Sequence, residues 1–111
     1  MNSEKLDKPI YEERCNVAYQ NRFIPLRMAS NIDLGTVSFF EDYMVVSFMG
    51  STEIPYDEIE LKIKEKFLLV FGQHFTITRN GSRIKIIIKP KNFEKMKKAF
   101  LSKIAPERIL T

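Results

Sequence analysis

Hydrolytic chemistry of the triad kind needs a nucleophile, a base and a group that orients the base, and the base is nearly always histidine. The chain has one histidine, His74, beside Gly72 where a strand is expected to turn, so it reads as a solvent-facing turn residue rather than a proton carrier. Zinc sites built from histidine and cysteine need three or four ligands at close spacing. The single cysteine, Cys15, lies 59 positions from His74, which excludes a site of that kind. It cannot close an internal disulfide, and with only Arg14 beside it to favour a thiolate it reads as an inert, buried or half-buried thiol. Carboxylates come in pairs at Glu12-Glu13, Glu41-Asp42 and Asp57-Glu58, all in expected turns or terminal stretches, where acidic residues serve solubility and local hydrogen bonds. Glycines 35, 50, 72 and 81 are too scattered to line up backbone N–H groups around a phosphate. The chain is therefore expected to be neither an enzyme nor a carrier of any metal or cofactor.

What remains is binding, and charge is the first guide to it. The net charge of +4 hides an asymmetry. Residues 1–78 carry eight Lys/Arg against twelve Asp/Glu, whereas residues 79–111 carry ten against two. A basic block of that kind attracts anionic lipid, acidic protein or nucleic acid, and equally serves as a solvated surface. Within it, Lys91, Lys95, Lys98 and Ser102 recur at helical spacing, while Arg83, Lys85 and Lys89 alternate along a strand. The two sets are expected to merge into one anion- or partner-binding patch. Nucleic acid is disfavoured because the aromatic residues that would stack on bases fall at expected core positions.

The elements that position these residues follow from periodicity. A polar arm, residues 1–9, ends at Pro9 and is expected to be loosely attached. One domain is expected over residues 10–105, with a short tail at 106–111. Alternation from Cys15 suggests a strand to about Phe23. Gly35–Phe40 and Tyr43–Met49, joined across Glu41-Asp42, form the strongest hairpin signal. Glu53–Ile59 reads as a connector that turns at Tyr56–Glu58 rather than as part of a sheet. Leu61 and Ile63 alternate with Lys62 and Lys64, as a half-buried strand requires. Further strands are expected at Lys66–Phe71, at Phe75–Thr78, and, after an Asn80-Gly81 turn, at Arg83–Lys89. In the last, Ile87 is out of phase with Ile84, Ile86 and Ile88, so part of the outer face should be covered. Asn92 is a plausible N-cap for a helix whose stripe is Phe93, Met96, Phe100, Leu101 and Ile104, stopped by Pro106. That stripe needs an apolar surface, and the open end of a strongly bent sheet is the nearest one.

Six or seven antiparallel strands and one closing helix is the order of the pleckstrin-homology-like domains. Locally, Gly35-Thr36-Val37-Ser38-Phe39-Phe40, a two-residue turn, Tyr43-Met44-Val45-Val46-Ser47-Phe48 and then Ile54-Pro55-Tyr56-Asp57-Glu58-Ile59 resembles the GRAM and bacterial pleckstrin-homology pattern. The resemblance runs from about Cys15 to Ile104. It implies a mostly β fold, a bent sandwich or partly open barrel with the helix plugging one end. It implies no single function, since relatives bind phosphoinositides, peptides or proteins. Phosphoinositide-binding members carry a basic cluster over the first two strands and their loop; Arg14, Arg22 and Arg27 are all this chain offers there, which argues against specific recognition of a phosphorylated inositol.

The function expected is a non-enzymatic binding or scaffolding module acting on a protein partner, as a monomer or weak homodimer. The alternative is peripheral attachment to anionic lipid through Arg83, Lys85, Lys89, Lys91, Lys95 and Lys98. No stretch nears the ~18 apolar residues of a spanning helix, and Met1–Pro9 lacks the make-up of a secretory signal. A cytoplasmic protein, with docking at the inner face of the membrane left open, is the matching expectation.

Overall fold

The computed structural model describes residues 8–20, 35–48, 50–65, 73–82 and 84–110. Strands β1 (Tyr11–Gln20), β2 (Gly35–Phe39), β3 (Tyr43–Ser47), β4 (Ser51–Pro55), β5 (Ile59–Lys64), β6 (His74–Arg79) and β7 (Lys85–Lys89) precede helix α1 (Phe93–Lys103), and a two-residue strand β8 (Ile109–Leu110) follows it. They pair in the order β4-β3-β2-β1-β7-β6-β5-β8, all antiparallel except β5 with β8. Among the described residues the sheet does not close. The fold is mostly β with one C-terminal helix, as expected.

The bend is made by one strand. The first half of β1, Tyr11–Cys15, pairs with β2, and the second half, Asn16–Gln20, pairs with β7. A strand that changes partners in mid-course turns a corner between two sheets. At that corner Gly35 stands opposite Cys15, and a Cβ on it would lie 2.5 Å from Val17 Cγ2. The close approach needs glycine here for space, not for an unusual φ.

Inward residues of both sheets form one core, which includes Cys15, Val37, Phe39, Met44, Ile54, Leu61, Phe75, Ile77 and Ile88, all at most 1% exposed. The helix closes it through Phe100, whose ring meets Phe39 edge-on at 4.8 Å and Phe75 at 4.8 Å, while Phe93 stacks on Phe75 at 4.7 Å. One helical side chain thus touches an aromatic ring from each sheet. Such ring pairs add roughly 0.5–1.5 kcal/mol beyond the area they bury.

Several expectations change. β1 begins at Tyr11, four residues before the expected start, because Glu12, Glu13 and Arg14 mask an inward set of Tyr11, Glu13, Cys15 and Val17. Its expected end at 21–23 lies outside the described residues, as does the expected strand Lys66–Phe71. Ser51–Pro55 is a strand and not a connector: it pairs along all of β3 and buries Ile54 to 1%. Tyr56–Glu58 is the expected turn, a single 3₁₀ turn. Gly81 has φ 78°, and Ser82 N–H donates to the Arg79 carbonyl at 2.9 Å, closing the expected hairpin turn. Ile84 precedes β7 and is 47% exposed. Ile87 is buried on the outer side, and so is its register partner Ala18, so part of that face is covered as its phase required. On the helix, Leu101 is 47% exposed and leaves the stripe, which narrows to Phe93, Met96, Phe100 and Ile104. Residues 106–110 form a 3₁₀ turn, Pro106–Arg108, that delivers β8 to β5.

Candidate interaction surfaces

The acidic pair Glu12-Glu13 sits inside β1 rather than in a terminal stretch, and alternation sends its two side chains to opposite faces. Outward, Glu12 accepts from the buried Ser38 hydroxyl at 2.5 Å. Inward, Glu13 accepts from the Tyr11 hydroxyl and from the backbone N–H groups of Lys91 and Asn92, the latter at 3.1 Å. A carboxylate at the start of a helix satisfies N–H groups that have no intrahelical partner and complements the helix dipole. Asn92 is the N-cap, as expected, its side chain accepting from Lys95 N–H at 3.1 Å. Burial, and then the bond to Glu13, holds the Tyr11 phenol far above its ordinary range.

The rest of the helix is braced to both sheets. Lys97 reaches Glu65, beyond the end of β5, at 2.8 Å, and that carboxylate raises the Lys97 pKa. Lys103 reaches Glu41, in the β2–β3 turn, at 3.6 Å, and also donates to its carbonyl at 3.1 Å. These two lysines face the body of the protein. Lys91, Lys95 and Lys98, all exposed, lie on the remaining side, where Lys95 and Lys98 form no ion pair among the described residues.

The strand lysines lie elsewhere. Ile86 and Ile88 of β7 enter the core, so Lys85 and Lys89 project from the opposite, outer face of the sheet. Helix α1 packs on the core side, through Phe93 on Phe75 and through Glu13. The helix set and the strand set are therefore carried on opposite sides of the β7-β6-β5 sheet. Arg83 lies outside the described residues.

Register brings two other lysines to the outer face. Across β6, Lys64 is opposite His74 and Lys62 opposite Thr76 on the β5 side, while Thr76 is opposite Ile87 and Thr78 opposite Lys85 on the β7 side. The alternation of Lys62 and Lys64 with Leu61 and Ile63 was legible in the sequence. That β5 and β7 flank the same strand was not. His74, expected in a turn, is the first residue of β6 and half-buried.

Comparison of the chain with protein-family models, with curated proteins and with solved structures finds no match.

The surfaces themselves therefore carry the functional argument. Among the described residues no three His, Cys, Asp or Glu side chains gather as a metal site would need. Cys15 is fully buried. Glu58, of the third acidic pair, is held by Arg79 at 2.6 Å. No described helix is long and apolar enough to cross a membrane.

The other feature is the edge of β4. Phe48 N–H donates to Gly50 O at 2.8 Å, and Tyr56 N–H donates to Asp42 O at 3.5 Å. Hydrogen-bonded pairs alternate along an antiparallel ladder, so with the β3–β4 register Thr52 and Ile54 bond to Val46 and Met44. Ser51 and Glu53 then direct both N–H and C=O away from β3, and among the described residues no strand lies beyond them. Residues 35–60 contain six acidic side chains and no lysine or arginine, and Glu41, Asp42, Glu53 and Asp57 are exposed.

Proposed function

We propose that the chain is a non-enzymatic interaction module of the pleckstrin-homology-like kind that docks a partner protein by accepting an extended strand on β4. The family reading rests on the Gly35–Ile59 pattern, and seven described strands followed by a closing helix are compatible with it. The observation that carries the docking mode is the outward row of Ser51 and Glu53, two N–H and two C=O groups aligned as a strand requires. A free edge of this kind accepts a strand through its backbone, and side chains select which strand. Here the selection is electrostatic. Glu53 shares a row with Val45, Ser38 and Glu12, so the incoming strand carries Lys or Arg opposite Glu53.

Proline substitution tests this with the fold held constant. Glu53→Pro removes an N–H that points away from β3, whereas Thr52→Pro removes one that β3 uses. A partner captured by the wild-type chain and by Glu53→Gln, but lost from a folded Glu53→Pro, is the expected result, with amide exchange slowed at Ser51 and Glu53 in the complex. Equal capture by Glu53→Pro, with loss on changing Lys95 and Lys98, would move the site to the helix.

A second reading, peripheral attachment to an anionic membrane, is favoured by Lys95 and Lys98, exposed and outside any described ion pair. It requires sedimentation with anionic but not neutral vesicles, fading as the Debye length shrinks to about 8 Å at physiological salt. Because helix and strand lysines lie on opposite sides of a sheet, a flat bilayer meets one set at a time.

A further inference from the structure

We propose that the outer face of the β7-β6-β5 sheet is a second docking surface, separate from the β4 edge, that takes an extended acidic segment of a partner protein. The face carries Lys62 and Lys64 on β5 and Lys85 and Lys89 on β7, with Thr76 and Thr78 of β6 between them. Lys62 and Lys85 are exposed, and Lys64 and Lys89 are half-buried. None of the four lysines forms an ion pair among the described residues, whose ion pairs join Arg79, Lys97 and Lys103 to Glu58, Glu65 and Glu41. Among the described residues one acidic side chain, Glu60, shares the face, opposite Thr78 and so at the Lys85 end. Four cations against one carboxylate among the described residues of this face call for an anionic partner.

Geometry selects the form of that anion. Alternate residues of a strand are about 6.8 Å apart, so Lys62 and Lys64 are spaced by one such step and Lys85 and Lys89 by two. Neighbouring strands lie about 4.8 Å apart, which puts the two lysine rows roughly 10 Å from each other with β6 along the middle. An extended polypeptide lying over β6 projects its own alternate side chains at the same step. Glutamates or aspartates at those positions reach ammonium groups in both rows, and the Thr76 and Thr78 hydroxyls remain for backbone or side-chain acceptors. Glu60 repels a carboxylate at its end, which biases the acidic residues of the segment toward Lys64 and Lys89. The covered centre at Ala18 and Ile87 confines the contact to the β6 side of β7. A flat bilayer has no such step to match, and the helix lysines on the other side of the sheet cannot add to its attraction.

The test is fluorescence anisotropy of a labelled peptide of alternating glutamate and threonine, titrated with the full chain at low and at physiological ionic strength. Binding that weakens with salt is expected, and the double variant Lys62→Glu/Lys85→Glu should lose at least about tenfold in affinity. Lys95→Glu/Lys98→Glu makes the same change in net charge on the helix and should shift affinity less than about twofold. All four positions are exposed, so both variants should keep the thermal unfolding midpoint, and Lys62→Gln/Lys85→Gln provides a milder pair with the same expected order. Equal losses from the sheet and helix variants would reduce the effect to net charge and overturn the proposal. So would sedimentation with anionic vesicles without peptide binding, no binding of any probe, or loss of the peptide on Glu53→Pro, which would place it on β4.

Discussion

The β2-β3-β4 sheet and the β7-β6-β5 sheet share β1 and one core, yet their outer surfaces carry opposite charge. From the first come Glu41, Asp42, Glu53 and Asp57, with no lysine or arginine anywhere in residues 35–60. From the second come Lys62, Lys64, Lys85 and Lys89 against Glu60. Inward positions are alike in both because burying apolar area is what holds the sheets together, at roughly 25 cal/mol per Å². Outward positions are free of that constraint. Among the described residues the first sheet also ends in a strand, β4, with no further strand beyond it, whereas the second has β8 added beyond β5 and Ala18 and Ile87 covered on its outer face. A shared core thus leaves two surfaces that can differ in both charge and mode of contact.

The comparison breaks most completely where the two sheets are tied. Phe100→Ala removes the ring between Phe39 and Phe75 and should cost about 3–5 kcal/mol in chemical denaturation, enough to unfold a domain of marginal stability; a loss under about 1 kcal/mol would mean that the helix is not the tie. At the other junction, Gly35→Ala drives a methyl into Val17 and should cost about 1–3 kcal/mol. Adding Val17→Ala should recover part of that loss, since the two changes act on the same space, and strict additivity would count against the close approach. Next comes Glu13→Ala, which leaves the Lys91 and Asn92 N–H groups without their carboxylate and should cost about 1–2 kcal/mol; it should speed exchange in the first turn of the helix before it affects β6.

A pH series separates the sheets more finely. Burial, and then the nearby Glu41 and Asp42, raises the Tyr56 phenol far above its usual value, while its hydroxyl donates to the Phe40 carbonyl at 2.7 Å. The folded state therefore favours the neutral phenol. Its contribution is complete below the unfolded value near 10 and is lost as pH rises above it. Alkaline unfolding should begin near that pH, and Tyr56→Phe should reduce the slope; an unchanged slope would assign the loss to Tyr11 and the β1 seam, whose phenol is raised for the same first reason. The smallest effect belongs to Leu101→Ala, on the solvent side of the helix, at under about 0.5 kcal/mol.

Most strands were legible because their inward residues alternate without interruption, as in Tyr43–Ser47 and His74–Arg79. Where an inward position is polar, the signal fails, and Glu13 hides the start of β1. Ser51–Pro55 failed differently: one buried side chain, Ile54, and a proline give a local pattern indistinguishable from a connector. The helix lysines were readable from spacing, but Leu101 was wrongly placed in the stripe because a hydrophobic residue beside Phe100 carries no local mark of exposure.

The sequence by itself determined the mostly β class, the closing helix with its Asn92 cap, the Asn80-Gly81 turn and the concentration of positive charge in the last third. Each depends on residues within a turn or two of one another, where propensity, capping and periodicity act. Only the tertiary structure decided that β1 serves two sheets, that β5 and β7 flank β6 so that their lysines share a face, and that the helix lysines lie on the other side. Those outcomes depend on pairing between strands distant in the chain, and pairing order is set by how the whole apolar surface is buried rather than by any local run of residues.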